Sequence, residues 1–597
     1  MTNFHASTVR REHSRERGST QVEHVLALCV AVLFLPSAGL LGGAFRSAIA
    51  GESTEVAAGA PVERGPTAAG SAAPLSAQAG AVSELAHLAE RAKRLSHPFD
   101  DAQTLVHEAS RQRLDRLLND GTMSDLVVVP SLTLDAAELA SIKGVTSYEE
   151  RVLWSLRNLE RPGTRVTFVT STPIDRDFSD YFLSLIPNLS LDEARSRVRF
   201  LSPNDAGTEP LARKVLLRPA LLDEIRDGIQ LDRSVMLSWT SSPYDAGVAS
   251  ALGIPHYAPH PLLNYFGTKS GGRELFREAG VPIPFGFEHV RSVDEIVSAV
   301  NEVWKENPDL SRVVVKHNEG TSGQGNAILD LRKLRSIAPD TGASDAVRKS
   351  AIERALPKMK FAADEITAPE FFEIMERQGG VVEAFFDGAE SSPSSQIDVY
   401  VDGRVVPAAT HDQLLEGPGN QVYAGASFPA RREYRIAMQD DMIRVGELLK
   451  QRGVVGRFAG DFMVRTSAVT GELERIAIEL NLRQGGTTHP GRLLEMLAGG
   501  GYDAKRGVYA AADGTPRTYF ATDSFTNEAL RGTSPGQAIA KARNKGLLYD
   551  DARGSGVVFH MLGALEEHGK MGFTAIAHTR AEASALFQRI RRTFGEE

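Results

Sequence analysis

Residues 477–490 read AIELNLRQGGTTHP. At strand period, Ile478, Leu480 and Leu482 point one way, and Glu479, Asn481 and Arg483 point the other. A carboxylate, an amide and a guanidinium therefore stand in a row, followed at once by a Gly-Gly-Thr-Thr-His-Pro loop. Such a row is either an ordinary solvated strand face or one wall of a metal–phosphate site. The preceding stretch, GRFAGDFMVRTSAVTGELER, supplies a partner strand. Its VTGE turn sends the chain back so that Asp461 comes to lie opposite or near Glu479. Oxygens of Asp461, Glu479 and Asn481 on one sheet face suit Mg²⁺, a hard cation that shares its coordination shell with phosphates. Arg483 extends the row and offers charge to a transferring phosphoryl group. On these two strands alone the two readings weigh equally.

Composition narrows the field. A chain of 597 residues exceeds one hydrophobic core, so roughly two to four domains are expected. An apolar content of 42% with 24% charged residues describes a mostly globular protein. The net charge of −9, with no basic run in the globular part, argues against nucleic acid as the main partner. The single cysteine, Cys29, excludes an internal disulfide framework and a Cys-rich metal centre, and fits a reducing compartment.

Residues 1–50 stand apart. Several arginines precede an apolar run, 25–45, about long enough to cross a bilayer as a transmembrane helix. RGSTQVEHVL resembles the processing region of Flp-type and other type IV pilin-like signals, with Gly18 at the cleavage point and Glu23 early in the mature chain. The charge bias predicts the N-terminus inside and the remainder outside. A mis-set translation start or a fused remnant is an equal alternative. A run broken at Pro36, Gly39, Gly42 and Gly43 into a hairpin that only dips into the membrane is another. Residues 51–82, rich in Ala, Gly, Ser and Pro, read as a disordered linker.

From residue 83 the texture is globular. DLVVVP, RVTFVT, RVRFL and SVMLSWT alternate with helical patterns, which predicts an open, mainly parallel α/β layer over 83–260. VVPSLTLD lacks the glycine-rich turn of a dinucleotide site, so this Rossmann-like layer reads as scaffold or substrate wall. Residues 261–515 have α+β texture. TKSGGRELFREAGVPIPFGF gives a helix ended by Gly280 and Pro282, and GGVVEAFF a buried strand. QIDVYVDGRVVPAAT gives a hairpin with a type I′ turn at Asp402-Gly403. Residues 516–597 read as a small mixed domain closed by a Glu/Ala-rich helix. In VVVKHNEGTSGQGN, Lys316 follows three valines, and Gly320, Gly323 and Gly325 let the backbone fold over a phosphate chain. The spacing is neither a Walker A loop nor a dinucleotide fingerprint, and alone a glycine-rich surface hairpin is the commoner explanation.

The order of these features carries more than any one of them. Lys269 precedes a helix and an AGVP segment; Lys316, the glycine loop, Glu383 at the end of an apolar strand, Asp461 and Glu479-X-Asn481 follow. This order resembles the ATP-grasp superfamily, with a helix and AGVP segment as in its biotin carboxylase-like and D-alanine–D-alanine ligase-like members. The resemblance implies that Lys269 and Lys316 hold the phosphates of ATP. It implies that the loop of Glu319, Gly320, Thr321, Ser322, Gly323 and Gly325 closes over them. Glu383, with Ala384 and Phe385, would meet the adenine, and Asp461, Glu479 and Asn481 would ligate two Mg²⁺ ions. Four further stretches look like the pheganomycin-type peptide ligases: AESSPSSQIDVYVDG, THDQLLEGPGNQVYAGASFPA, ELNLRQGGTTHPG and LLYDDARGSGVVFHMLGALEEHGKMGFTAIA. Those ligases join a pre-ATP-grasp layer, an ATP-grasp fold and a distinctive C-terminal domain, and the likeness runs from about residue 96 onward. For the ribose, DGAESSPSSQ leaves Asp387 and Glu390, of which Glu390 is preferred.

What the resemblance implies is an ATP-dependent carboxylate–amine ligase. It would form an amide through an acyl phosphate and release ADP and phosphate, in natural-product or peptide biosynthesis. Arg483 and the N–H groups of Gly485 and Gly486 would stabilise the tetrahedral oxyanion. His489 would orient a substrate or relay a proton, a turn histidine bonded to a hydroxyl being the equal alternative. His411, Gln413, Thr487 and Thr488 are expected to line the cleft, and Arg457 to meet a substrate carboxylate or a surface ion pair. The alternatives are a small-molecule kinase or thioester-forming ligase of the same fold, a non-catalytic ATP-binding module, or a membrane-tethered pilin-like secreted protein. The last excludes the enzyme, since ATP is not supplied outside the cell. The expected partners are small-molecule or peptide carboxylates and amines, with a homodimer as the default assembly. The catalytic part is expected in the cytoplasm, with membrane association through 25–45.

Overall fold

The structure is a computed structural model and describes residues 101–320, 325–362, 366–416, 422–467 and 470–595. The chain divides into two compact units, Met1–Ala109 and Ser110–Glu597. Of the first, residues 101–109 are described, as the opening turns of helix α1, Asp101–Asn119. The apolar run 25–45, the pilin-like motif and the linker 51–82 lie outside the described residues, as do Thr321, Ser322 and Gly323 of the glycine loop. Among the described residues no helix is long and apolar enough to cross a membrane.

The second unit opens with a parallel four-stranded sheet of β1 (Asp125–Val129), β2 (Arg165–Val169), β3 (Val198–Leu201) and β4 (Ser234–Ser238), in the order β3-β2-β1-β4. Leu126 and Val128 of β1 enter one core cluster and Val127 and Val129 another. A strand covered on both faces needs a continuous apolar run, which is what DLVVV supplies.

Helix α2 (Lys269–Glu278) then leads to an antiparallel five-stranded sheet. It comprises β5 (Gly286–Val290), β6 (Arg312–His317), β7 (Asn326–Asp330), β8 (Lys360–Phe361) and β9 (Gly380–Ala384), in the order β5-β9-β6-β7-β8. Helix α3 (Val293–Glu306) starts with a capping box of Ser292 and Glu295. It buries Ile296, Val300, Val303 and Trp304 against Val313, Val315 and Val382 of the sheet. Each such fully buried side chain contributes about 1.5–3 kcal/mol.

The third sheet is the largest. It runs from β10 (Pro393–Val399), β11 (Val405–Glu416) and β12 (Val422–Phe428) through β13 (Gly456–Thr466) and β14 (Leu473–Asn481). Helix α4 (Thr488–Ala498) intervenes before β15 (Gly501–Asp503), β16 (Val508–Ala510), β17 (Pro516–Thr526), β18 (Gly556–Met561) and β19 (Lys570–Ala577). The strand order is β14-β13-β10-β11-β12-β17-β16-β15, with β19 paired to β17 and β18 to β19. The strands after residue 515 therefore continue the same sheet, through Ala426↔Ala521 and its neighbours. Glu150, from the 3-10 segment Val145–Glu160, accepts the backbone N–H groups of Leu562 (2.8 Å) and Gly563 (2.9 Å). The first layer and the last strands are thus bonded directly.

The β10–β11 hairpin forms as expected, but its turn is not type I′. Only Gly403 has a positive φ (85°), and its N–H donates to the Tyr400 carbonyl at 3.0 Å. Val401 and Asp402 thus occupy the central turn positions, and glycine takes the left-handed residue after them.

Candidate active site

The β13–β14 register places Asp461 opposite Glu479 and Ala459 opposite Asn481. The next pair is Phe462↔Ala477, so Ile478 is an extra residue, a β-bulge that shifts the strand's phase. Ala477, Leu480 and Leu482 are buried, whereas Ile478 lines the cleft beside Glu479, Asn481 and Arg483. The expectation that Ile478 shares the buried face of Leu480 and Leu482 is corrected by this bulge.

Asp461 accepts hydrogen bonds from Gln413 Nε2 on Oδ1 and from Asn481 Nδ2 on Oδ2, both at 2.9 Å. Burial, reinforced by the negative charge of Glu479, pushes its carboxyl up to about 7. Burial acts the same way on Glu479, but the Lys269 ammonium 2.6 Å away brings it below its ordinary value. Lys269 stands at the first turn of α2, where Thr268 caps by accepting the Gly271 N–H, and its Nζ also donates to the Gly320 carbonyl at 3.1 Å. Two carboxylates forced together beside an amide form the donor set of a hard dication, which would relieve their repulsion. These residues fit Mg²⁺.

A cleft of about 1210 Å³ adjoins this pair. Its wall includes Lys316, Glu383, Ala384, Phe385 and Glu390, with Met463 and Ile478 supplying apolar surface. Glu383 is buried at the end of β9 and pairs with both Lys316 Nζ and Arg273 Nη1, the latter at 2.5 Å. Phe385 lies under the Arg312 guanidinium, 3.9 Å from its ring centroid, and donates its N–H to the Arg312 carbonyl at 3.2 Å. Asp387 is tied to Arg312 and Ser311, so of Asp387 and Glu390 it is Glu390 that stands on the cleft wall; Glu390 Oε1 accepts the Thr466 N–H at 2.8 Å. Of the glycine loop, Glu319 is exposed and Gly325 takes φ +89°, where an added Cβ would come within 3.0 Å of His317 Nδ1.

A second cavity of about 380 Å³ continues from the first. Ser392, Gln413, Met463 and Ile478 belong to both walls, so Asp461 and Glu479 sit where the two spaces meet. Arg483, Gly485, Gly486 and Thr487 line this second space. So do Glu138, Tyr148, Arg151, Trp239 and Asp523, none of which local sequence pattern singled out, because they come from remote segments.

Several expected site residues lie elsewhere. His411 is fully buried within β11, with Nε2 2.6 Å from the Tyr519 hydroxyl, and lines neither cavity. Arg457 meets neither solvent nor cleft: it is paired in two contacts, 2.9 and 2.6 Å, with buried Asp398. His489 is fully buried with Nε2 2.9 Å from Asp523 Oδ1, out of reach of a substrate. The Gly485 N–H donates to Thr488 Oγ1 at 3.0 Å, so both Gly485 as an oxyanion donor and Thr488 as cleft lining are corrected. The Gly486 N–H bonds to no described residue.

Burial pushes the His411 imidazole from 6.5 down to about 3, so the ring is neutral at pH 7. The unfolded chain takes up a proton below pH 6.5 and the folded chain does not. The resulting stability is full above pH 6.5 and is lost as pH falls toward 3. The gap in Tm between wild type and His411→Gln is therefore expected to narrow on going from about pH 7.5 to pH 5, by the equivalent of about 2 kcal/mol. A gap independent of pH would contradict this.

Comparison with known proteins gives consistent matches. Residues 261–366 and 366–505 match the family described as IQCH-like, ATP-grasp, and residues 537–590 match the PGM1 C-terminal domain. The L-propargylglycine--L-glutamate ligase of Streptantibioticus cattleyicolor is 32% identical over 438 residues, covering 72% of this chain and 86% of that protein. IQ motif-containing protein H of Danio rerio is 23% identical over 395 residues, 60% of this chain and 37% of that protein. Among solved structures, the biotin carboxylase–βγ-ATP complex from Campylobacter jejuni superposes with a TM-score of 0.49 at 12% identity, over 79% of this chain and 91% of that one.

Proposed function

We propose that this chain, which belongs to the ATP-grasp carboxylate–amine ligases of the pheganomycin type, joins the carboxylate of one amino acid to the amino group of another. ATP is consumed and ADP and phosphate are released. The observation that carries this reading is the junction of the two cavities at Asp461 and Glu479. A nucleotide in the larger space would point its phosphates at that pair, and an acid in the smaller one would approach from the other side.

In this reading Glu383, Ala384 and Phe385 meet the adenine with Met463 and Ile478 as apolar wall, Glu390 meets the ribose, and Lys316 and Lys269 hold the phosphates. Asp461, Glu479 and Asn481 would hold Mg²⁺, two ions as the ATP-grasp likeness implies, which would supply positive charge to the phosphates. Lys269, between the Glu479 carboxylate and the Gly320 carbonyl, would offer its ammonium to the phosphates from that position. A carboxylate oxygen of the first substrate bonds to the γ-phosphorus while the bond to the β-phosphate oxygen breaks. The amine of the second then bonds to the carbonyl carbon, phosphate leaves and one proton is lost from nitrogen. Arg483, half-buried on the cavity wall, and the Gly486 N–H, which bonds to no described residue, would stabilise the oxyanion of that step.

The test incubates the full chain with ATP, Mg²⁺ and pairs of L-amino acids, L-propargylglycine and L-glutamate first. ADP is followed by a coupled assay and product by mass spectrometry. ADP with a mass equal to acid plus amine minus water is the expected result. ADP with a phosphorylated acid as the end product would make the protein a kinase, and no ATP-dependent product across the pairs would overturn the ligase reading.

A further inference from the structure

Joining two amino acids leaves two charges unspent. The activated partner uses its carboxylate and keeps an ammonium, whereas the attacking partner uses its amino group and keeps a carboxylate. A pocket for both needs one anion and one cation beyond the phosphoryl-transfer groups. The second cavity has this pair in Glu138, from the helix Ala136–Ser141, and Arg151, from the 3-10 segment Val145–Glu160. The Glu138 carboxylate makes no hydrogen bond to a described residue.

Arg151 is held with unusual completeness for a side chain on a cavity wall. Its Nη1 donates to Asp523 Oδ2 at 2.9 Å and its Nε to the Tyr148 carbonyl at 3.1 Å. The guanidinium lies 4.4 Å from the Tyr148 ring centroid and 4.1 Å from that of Trp239. Nη2 bonds to no described residue. Asp523 is itself fixed: Oδ1 accepts from His489 Nε2 and His560 Nε2, both at 2.9 Å, and all three side chains are buried. Burial pushes His489 down to about 3, so it serves as a neutral N–H donor. Two histidines and a carboxylate this close match a metal-ligand trio in spacing. The Arg151 guanidinium on the same carboxylate argues against a dication there, and every contact has hydrogen-bond length.

We propose that Arg151 anchors the non-reacting carboxylate of the amino-group substrate, and that the Asp523–His489–His560 cluster holds its guanidinium in place. This rests on the amino-acid ligase reading above. Tyr148 and Trp239 leave the guanidinium little freedom to follow a mis-set ligand, so the acceptor's carboxylate sets the position of its amino group. Arg151 is a recognition residue, and Asp523 a positioning residue that acts through it.

The test uses the full chain with L-glutamate, L-alanine and L-phenylalanine as acceptors, each against its α-carboxamide, together with the donor found to be activated. In the wild type the carboxamide is expected to lower kcat/KM about 100-fold with KM for ATP unchanged. Arg151→Gln is expected to bring the free acid down to the carboxamide's level and to leave the carboxamide within about threefold of its wild-type rate. Arg151→Lys does not rescue, because an ammonium can neither fork to a carboxylate nor stack between two rings. Asp523→Asn is expected to raise the acceptor KM with kcat nearly kept. A wild type that uses carboxamide and free acid alike overturns the assignment without any variant, as does Arg151→Gln losing both acceptors equally while still binding ATP. If no pair of amino acids yields an amide, the ligase reading itself falls and takes this one with it; amide formation indifferent to the acceptor's carboxylate overturns Arg151 alone.

Discussion

Glu479→Gln lowers turnover by about three orders of magnitude or more while ATP still binds. The amide keeps the size of the side chain and one oxygen but removes the charge. Glu479 on β14 sits directly opposite Asp461 on β13 and 2.6 Å from the Lys269 ammonium. Without its charge, the proposed Mg²⁺ would have Asp461 as its one carboxylate ligand, too little negative charge to order the phosphates. The nucleotide contacts proposed for Met463, Ile478 and Glu390 do not use the Glu479 carboxylate and would remain. ADP release with substrates and Mg²⁺ measures the first effect and calorimetric titration with ATP the second. A loss of less than about tenfold would remove Glu479 from the metal site.

Glu383→Ala is expected to damage the fold before the chemistry. Its carboxylate is the shared partner of Lys316 and Arg273, and all three side chains are buried. Truncation leaves an ammonium and a guanidinium facing each other in a low-dielectric space, which costs about 3–5 kcal/mol. Arg273 retains Glu288 at 2.7 Å and the Pro284 carbonyl at 2.9 Å, so the uncompensated charge falls mainly on Lys316. Faster hydrogen exchange across β5, β6 and β9 reads this out directly. Lys316→Met gives the contrast. Glu383 keeps Arg273, the strands stay protected, and ATP affinity falls about 10- to 100-fold. Equal loss of protection in both variants would show that the ion pair, and not the stranded cation, is what the fold needs.

Local pattern predicted the four parallel strands, the hairpins and the facing of Asp461 and Glu479, because period-2 alternation and turn chemistry act over a few residues. It failed at Ile478, where one inserted residue reverses the face of all that precede it, and nothing in AIELN marks the bulge. It also failed wherever a polar side chain is satisfied by a distant one. Arg457 finds Asp398 59 residues away, and His411 finds Tyr519 at a separation of 108. Arg151 meets Asp523 across 372 residues. Such partners arise from sheet order, which no window of sequence contains, and so a buried histidine and a substrate-facing one look alike until the sheet is assembled.

The continuation of the large sheet into β17 has a consequence for how the protein is made. The strands β5–β9, which hold Lys316 and Glu383, are complete long before Asp523 is synthesised. Domains fold as they emerge from the ribosome, N-terminal parts first. The wall proposed to receive a nucleotide is therefore synthesised while Arg151 still lacks the carboxylate that fixes it. The second cavity is complete only when β17 pairs with β12 and Glu150 receives the Leu562 and Gly563 amides. On the proposed reading, amide synthesis would have to wait for the last strands, which arrive after the nucleotide wall.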